Sequence, residues 1–153
     1  MDETEQRVLA NIEKYGCHIW HIAAEGDLPA FSYSVGIQKT CGAPEVVIVG
    51  LKSSVTRTTI NEYCRIVRSG KRFSHGEQSD QFFEGMAATF LKVERVHYRE
   101  YFGWNRWLYR GDGFDVMQLI WPSANGLWPW QPEAEDFQRD QPVLAKLPDL
   151  SLN

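Results

Sequence analysis

Apolar positions recur at helical spacing at the start of the chain. Val8, Leu9, Ile12 and Tyr15 fall on one face. Asp2 and Glu5 have capping-box spacing and Gly16 can stop the helix, so a helix is predicted over Asp2 to Tyr15. The period then changes to two. Cys17, Ile19 and Ala23 alternate with His18, Trp20 and Ile22, which predicts a strand from Cys17 to Ala23. Glu25-Gly26-Asp27 reads as a turn. A second strand is predicted from Ala30 to Ile37, with Phe31, Tyr33 and Val35 facing away from Ser32 and Ser34. Gly36 leaves room for close backbone approach. Lys39 to Pro44 reads as a loop. Glu45 to Leu51 is apolar on both faces, as in a central or well-covered strand.

Ser53 or Ser54 can cap a helix running to about Arg68, with Val55, Thr59, Tyr63, Ile66 and Val67 inward. Lys71 to Gly85 is polar and without a clear period, and reads as a loop over a pocket. Thr89 to Val96 alternates as a strand. His97 to Arg110 concentrates rings: Tyr98, Tyr101, Phe102, Trp104, Trp107 and Tyr109. Asp115 to Trp121 is the last predicted strand. The segment Gln118 to Trp130 then reverses at Ala124-Asn125-Gly126 and leaves through Trp128-Pro129-Trp130. The rest, about 132–153, reads as an irregular acidic tail broken by Pro142 and Pro148. This order predicts an α+β fold: one domain over 1–153, with a mixed or mainly antiparallel sheet packed by helices.

Composition narrows the function classes. With 43% hydrophobic and 13% aromatic residues, the chain is too apolar for a disordered segment. A net charge of -4 disfavours a general nucleic-acid-binding face. Arg57, Arg65, Arg68, Lys71 and Arg72 form the densest basic group, either a solvated helix end or a contact for phosphate or an acidic partner. Cys17, Cys41 and Cys64 have no metal-ligand spacing, and an odd count argues against a full disulfide framework. The acidic start and the lack of an apolar run near 18 residues lead us to expect a cytoplasmic protein without a membrane partner.

Few motifs carry chemistry. His18 and His21 lie three apart on a strand and are expected on opposite faces, which does not suit a shared metal. No metal site is expected; His75, Glu77 and Asp80 are its weak candidates. No phosphate loop, dinucleotide fingerprint or nucleophile elbow is present. Glu45 opens an apolar strand, so its carboxylate must pair with a donor or cap a neighbouring loop. Gln118 sits between Met117 and Leu119 in a similar setting. Tyr33, Ser32, Ser34, Glu45, Gln118 and Asn125 are candidates to converge beside Trp121, Trp128 and Trp130. They would line either an aromatic core or a ligand groove.

Three stretches carry a family resemblance: PAFSYSVGI (Pro29 to Ile37), GAPEVVIVGL (Gly42 to Leu51) and MQLIWPSANGLWPW (Met117 to Trp130). The chain resembles a family of small, mostly bacterial proteins catalogued as domain of unknown function 4262. The resemblance covers about 15–131. Gly36, Pro44-Glu45, Gly50-Leu51, Gln118, Trp121-Pro122, Gly126 and Pro129-Trp130 match its pattern. Two positions depart from it: Ala43 stands where the family often has histidine, and Ser123 where it often has aspartate. The resemblance implies no activity. The early strands also loosely resemble a flavin-binding split barrel, an analogy of fold alone.

A non-enzymatic binding or protein-interaction module, immunity-like or regulatory, is the expected function, with a protein partner. The alternative is an enzyme that binds a small polar-aromatic ligand, a nucleotide or flavin, in an aromatic groove. No resident cofactor is expected.

Overall fold

The computed structural model describes residues 1–147. Pro148, and with it the end of the expected irregular tail, lies outside the described residues. Helix α1, Glu3–Tyr15, starts as its spacing predicts. Asp2 accepts from the Glu5 N–H at 2.8 Å, and Glu5 accepts from the Asp2 N–H at 3.0 Å. Gly16 ends it in the left-handed region at φ 92°. Val8 and Ile12 face inward, but Tyr15 is 57% exposed, at the rim of the face rather than in it.

Six strands follow: β1 His18–Ile22, β2 Phe31–Val35, β3 Glu45–Val49, β4 Gln78–Phe83, β5 Met86–Lys92 and β6 Val116–Ile120. They form one sheet in the order β1-β2-β3-β6-β5-β4. Only β3 and β6 run parallel; the other neighbours are antiparallel. The fold is α+β, with a mixed sheet packed by helices. Among the described residues β1 and β4 are free edges, so the sheet is open. The two central strands are buried on both faces, as the apolar run from Glu45 predicts.

Helix α3, Ser53–Arg68, covers one face. Ile60, Tyr63, Cys64 and Val67 pack there against Val46, Ile48, Phe90 and Leu119. Val55, expected inward, is 40% exposed, and Thr56 takes the buried position. Its hydroxyl meets Ser32, so a polar contact set the helix rotation. Val8 and Ile12 of α1 cover the other face with Tyr98, Tyr101 and Phe102 from the aromatic segment. That segment forms two short helices, α4 Tyr98–Tyr101 and α5 Gly103–Tyr109. No helix among the described residues is long and apolar enough to cross a membrane.

Three local expectations are corrected. The loop from Lys39 holds the end of a short helix, Ile37–Cys41, which we call α2. Lys71 to Gly85 is not all loop, because β4 pairs with β5 through a hairpin. As an edge strand it stays largely exposed and keeps polar side chains, which hides the alternation. The strand expected to reach Val96 ends at Lys92, and Val96 lies 79% exposed in a 3-10 turn. Beyond Trp130 the chain forms a 3-10 turn, Pro132–Ala134, and helix α6, Glu135–Asp140, before a bridge from Ala145 to Val93.

Candidate functional site

Glu45 is fully buried where β3 begins. Its carboxylate accepts from Ser34 Oγ at 2.8 Å and from the backbone N–H groups of Gly36, Ile37 and Gln38 at 3.1, 3.0 and 3.1 Å. Tyr109 Oη donates a fifth bond at 2.5 Å. Gly36 makes the cluster possible. Its φ is +104°, and a Cβ there would lie 2.7 Å from Ile12. Burial pushes the Glu45 carboxyl above its ordinary range, while Tyr109, Ser34, Gln38 and Ile37 pull it back. Both oxygens are occupied within the fold, so Glu45 caps the first turn of α2. Asn105, also buried, donates to Ser34 O at 2.9 Å and ties α5 to the same corner. Tyr33 accepts from the Trp104 N–H at 3.3 Å.

The other residues singled out in the sequence gather elsewhere. Gln118 donates to Pro142 O at 2.9 Å and accepts from the Leu144 N–H at 2.7 Å. Trp121 donates from Nε1 to Val49 O at 2.9 Å and meets Phe137 edge-on at 4.8 Å. Gln118 and Trp121 thus hold the segment after β6 against the sheet, with hydrogen-bond partners other than those of Glu45 and Ser34. Asn125 is exposed in the tight turn closed by Ser123 and Leu127. Trp128 and Trp130 stack on each other at 5.3 Å, nearly parallel at 3°. His75 accepts from the Lys92 N–H at 2.8 Å, Glu77 pairs with Lys71 at 3.1 Å, and Asp80 is exposed. Among the described residues no group of three or more His, Cys, Asp or Glu is placed to hold a metal ion. The three cysteines are free.

A different constellation lies along the outer edge of β1. A cleft of about 560 Å³ has the strand edge from Cys17 to His21 as its floor. Helix α1 contributes Arg7, Asn11 and Tyr15, and α3 contributes Arg57 and Asn61. Each helix presents an arginine and then an asparagine four residues on, one turn apart on the same face. Among the described residues no acidic side chain lines the cleft. Neither arginine forms an ion pair among the described residues.

The histidines are held from behind. Asn11 Nδ2 donates to His18 Nδ1 at 2.9 Å, so a neutral His18 carries its proton on Nε2. His21 Nδ1 lies 2.7 Å from Ser32 Oγ, which lies 2.7 Å from Thr56 Oγ1. His21 Nε2 and Trp20 Nε1 are buried without a hydrogen-bond partner among the described residues, an arrangement native interiors seldom keep. Burial lowers the pKa of both imidazoles. Arg7, Arg57 and His21 lower that of His18 further, and Arg57 that of His21. An anion here would face two guanidinium groups, with no competing carboxylate among the described residues that line the cleft.

The strand alternation rightly put the histidines on different faces. His18 packs against Trp20 at 4.9 Å, whereas His21 bonds Ser32 toward α3. Both reach one cleft because β1 is an edge. The repeated Arg-x-x-x-Asn spacing was the sequence signal that could have revealed the two walls.

No curated protein and no solved structure matches this chain. Residues 11–135 match the family described as Domain of unknown function (DUF4262). The chain therefore belongs to the DUF4262 family, and the match takes in β1, the α3 wall and Glu45.

Proposed function

We propose that the chain is a non-enzymatic binding module that receives an anionic group in the cleft along β1. One observation carries this reading. In a protein of net charge -4, two arginines from separate helices flank two histidines, and no carboxylate among the described residues lines the space. Arginine suits carboxylate and phosphate alike, because its planar fork donates two parallel hydrogen bonds. The buried carboxylate of Glu45 spends its oxygens on five internal donors, which supports a structural role for it. Calorimetric titration with inorganic phosphate at low ionic strength tests the reading. Saturable binding that Arg57→Glu removes is the expected result. Equal heats for both proteins would contradict it.

A second reading keeps the aromatic groove. The parallel Trp128–Trp130 stack is only partly buried and offers ring surface to a planar nucleotide or flavin. Recovery of a flavin-coloured protein after gentle purification would support this small-molecule enzyme. A colourless protein that binds phosphate through Arg57 would favour the first reading.

A further inference from the structure

We infer that the cleft is a strand-addition groove whose occupant is an extended acidic peptide segment of a partner protein, an inference that rests on the anion-binding reading above. The shape of the floor carries it. β1 pairs with β2 on one side only, so alternate N–H and C=O groups of its outer edge face the cleft. A small anion would satisfy the arginines and leave that edge open. An extended chain laid along Cys17 to His21 would satisfy both, which is how sheet edges take up peptides.

Charge selects the occupant. Pairing β1 with β1 of a second copy would bring Arg7 and Arg57 against their own counterparts, so this edge resists self-association. An acidic segment meets the opposite condition. The geometry also specifies where its acids stand. Arg7 lies on the α1 side of the sheet and Arg57 on the α3 side. Side chains of an added strand alternate between those sides. One acid for each arginine therefore requires two acidic residues separated by an odd number of positions. An alternating pattern with acids on one face alone would leave one arginine unanswered. Trp20 stacks on Trp104 at 5.1 Å, so the α1 side of the floor is rigid and aromatic, and apolar residues between the acids have a surface to cover.

The test begins with random decapeptides displayed and selected against the full-length protein. The recovered peptides are then titrated into wild type, Arg7→Glu and Arg57→Glu. Both arginines are exposed, so each variant is expected to keep the fold, and an unchanged far-UV spectrum checks this. The expected peptides carry two acids at odd separation. They lose at least about tenfold in affinity to either variant, as like charges then face each other. On binding they slow amide exchange within His18–Ile22. Peptides without acidic enrichment, or without protection of those amides, would overturn strand addition. If inorganic phosphate still shifts His18 and His21, the anion-binding reading survives that loss. If neither peptide nor phosphate touches these residues, both readings fall.

Discussion

Tyr109 Oη donates a 2.5 Å hydrogen bond to Glu45 Oε2, across 64 residues of chain. The bond joins the end of the aromatic segment to the first residue of a central strand. It stabilises the folded state because the carboxylate is fully buried and no cation stands among its donors. Removing a hydrogen bond to a charged group is expected to cost about 1.5–3 kcal/mol in Tyr109→Phe. Glu45→Ala strands several buried donors at once, at about 1–3 kcal/mol for each, and should cost more. Urea unfolding of both variants checks the order. A neutral Glu45→Ala would contradict the capping role.

Gly36→Ala tests the turn that aims three N–H groups at Glu45. The new Cβ meets Ile12 at 2.7 Å, and φ stays at +104°. A loss of about 1–3 kcal/mol from backbone strain alone is expected, before the contact with Ile12 is counted. Unchanged thermal unfolding would show that the turn is not required.

These two residues also show how far the chain could be read in advance. Local patterns were enough for α1, whose cap needs only Asp2 and Glu5, and for β3, whose apolar run marks a covered strand. Gly36 and Glu45 were both legible as unusual residues. Their meeting was not, because α2 is five residues long and its cap comes from another element. β4 was missed since a polar edge strand shows no contrast between faces. Gln118 was recognised as a buried amide, but its partners Pro142 and Leu144 lie 24 and 26 residues further on. The cleft depends on β1 being an edge, a fact of sheet order that no window of sequence contains.

Trp121 is held on three sides. Its indole bonds Val49 O, meets Phe137 and lies where a Cβ on Gly50 would stand 2.9 Å away. Trp121→Ala should therefore destabilise the protein by about 3 kcal/mol and loosen the segment after β6. Thermal unfolding measures the first effect, and limited proteolysis between Phe137 and Ala145 the second. Little change in either would mean that the ring serves a ligand rather than the fold.

His18 and His21 both have folded pKa values below the ordinary 6.5. Below that pH the unfolded chain binds more protons than the folded one. Their contribution to stability is therefore present above pH 6.5 and is lost as pH falls through the folded values. Wild type should lose more stability between neutral and mildly acidic pH than a His18→Gln/His21→Gln variant. Parallel slopes in urea unfolding would contradict this.

The most direct test of the anion-binding cleft is an NMR titration of the His18 and His21 imidazoles, with and without inorganic phosphate, in wild type and Arg57→Glu. Phosphate should raise both pKa values in wild type, because a bound anion favours the imidazolium form. The rise should be largely lost in Arg57→Glu. Titration curves that phosphate leaves unmoved, or moves equally in both proteins, would contradict the cleft as the site of binding.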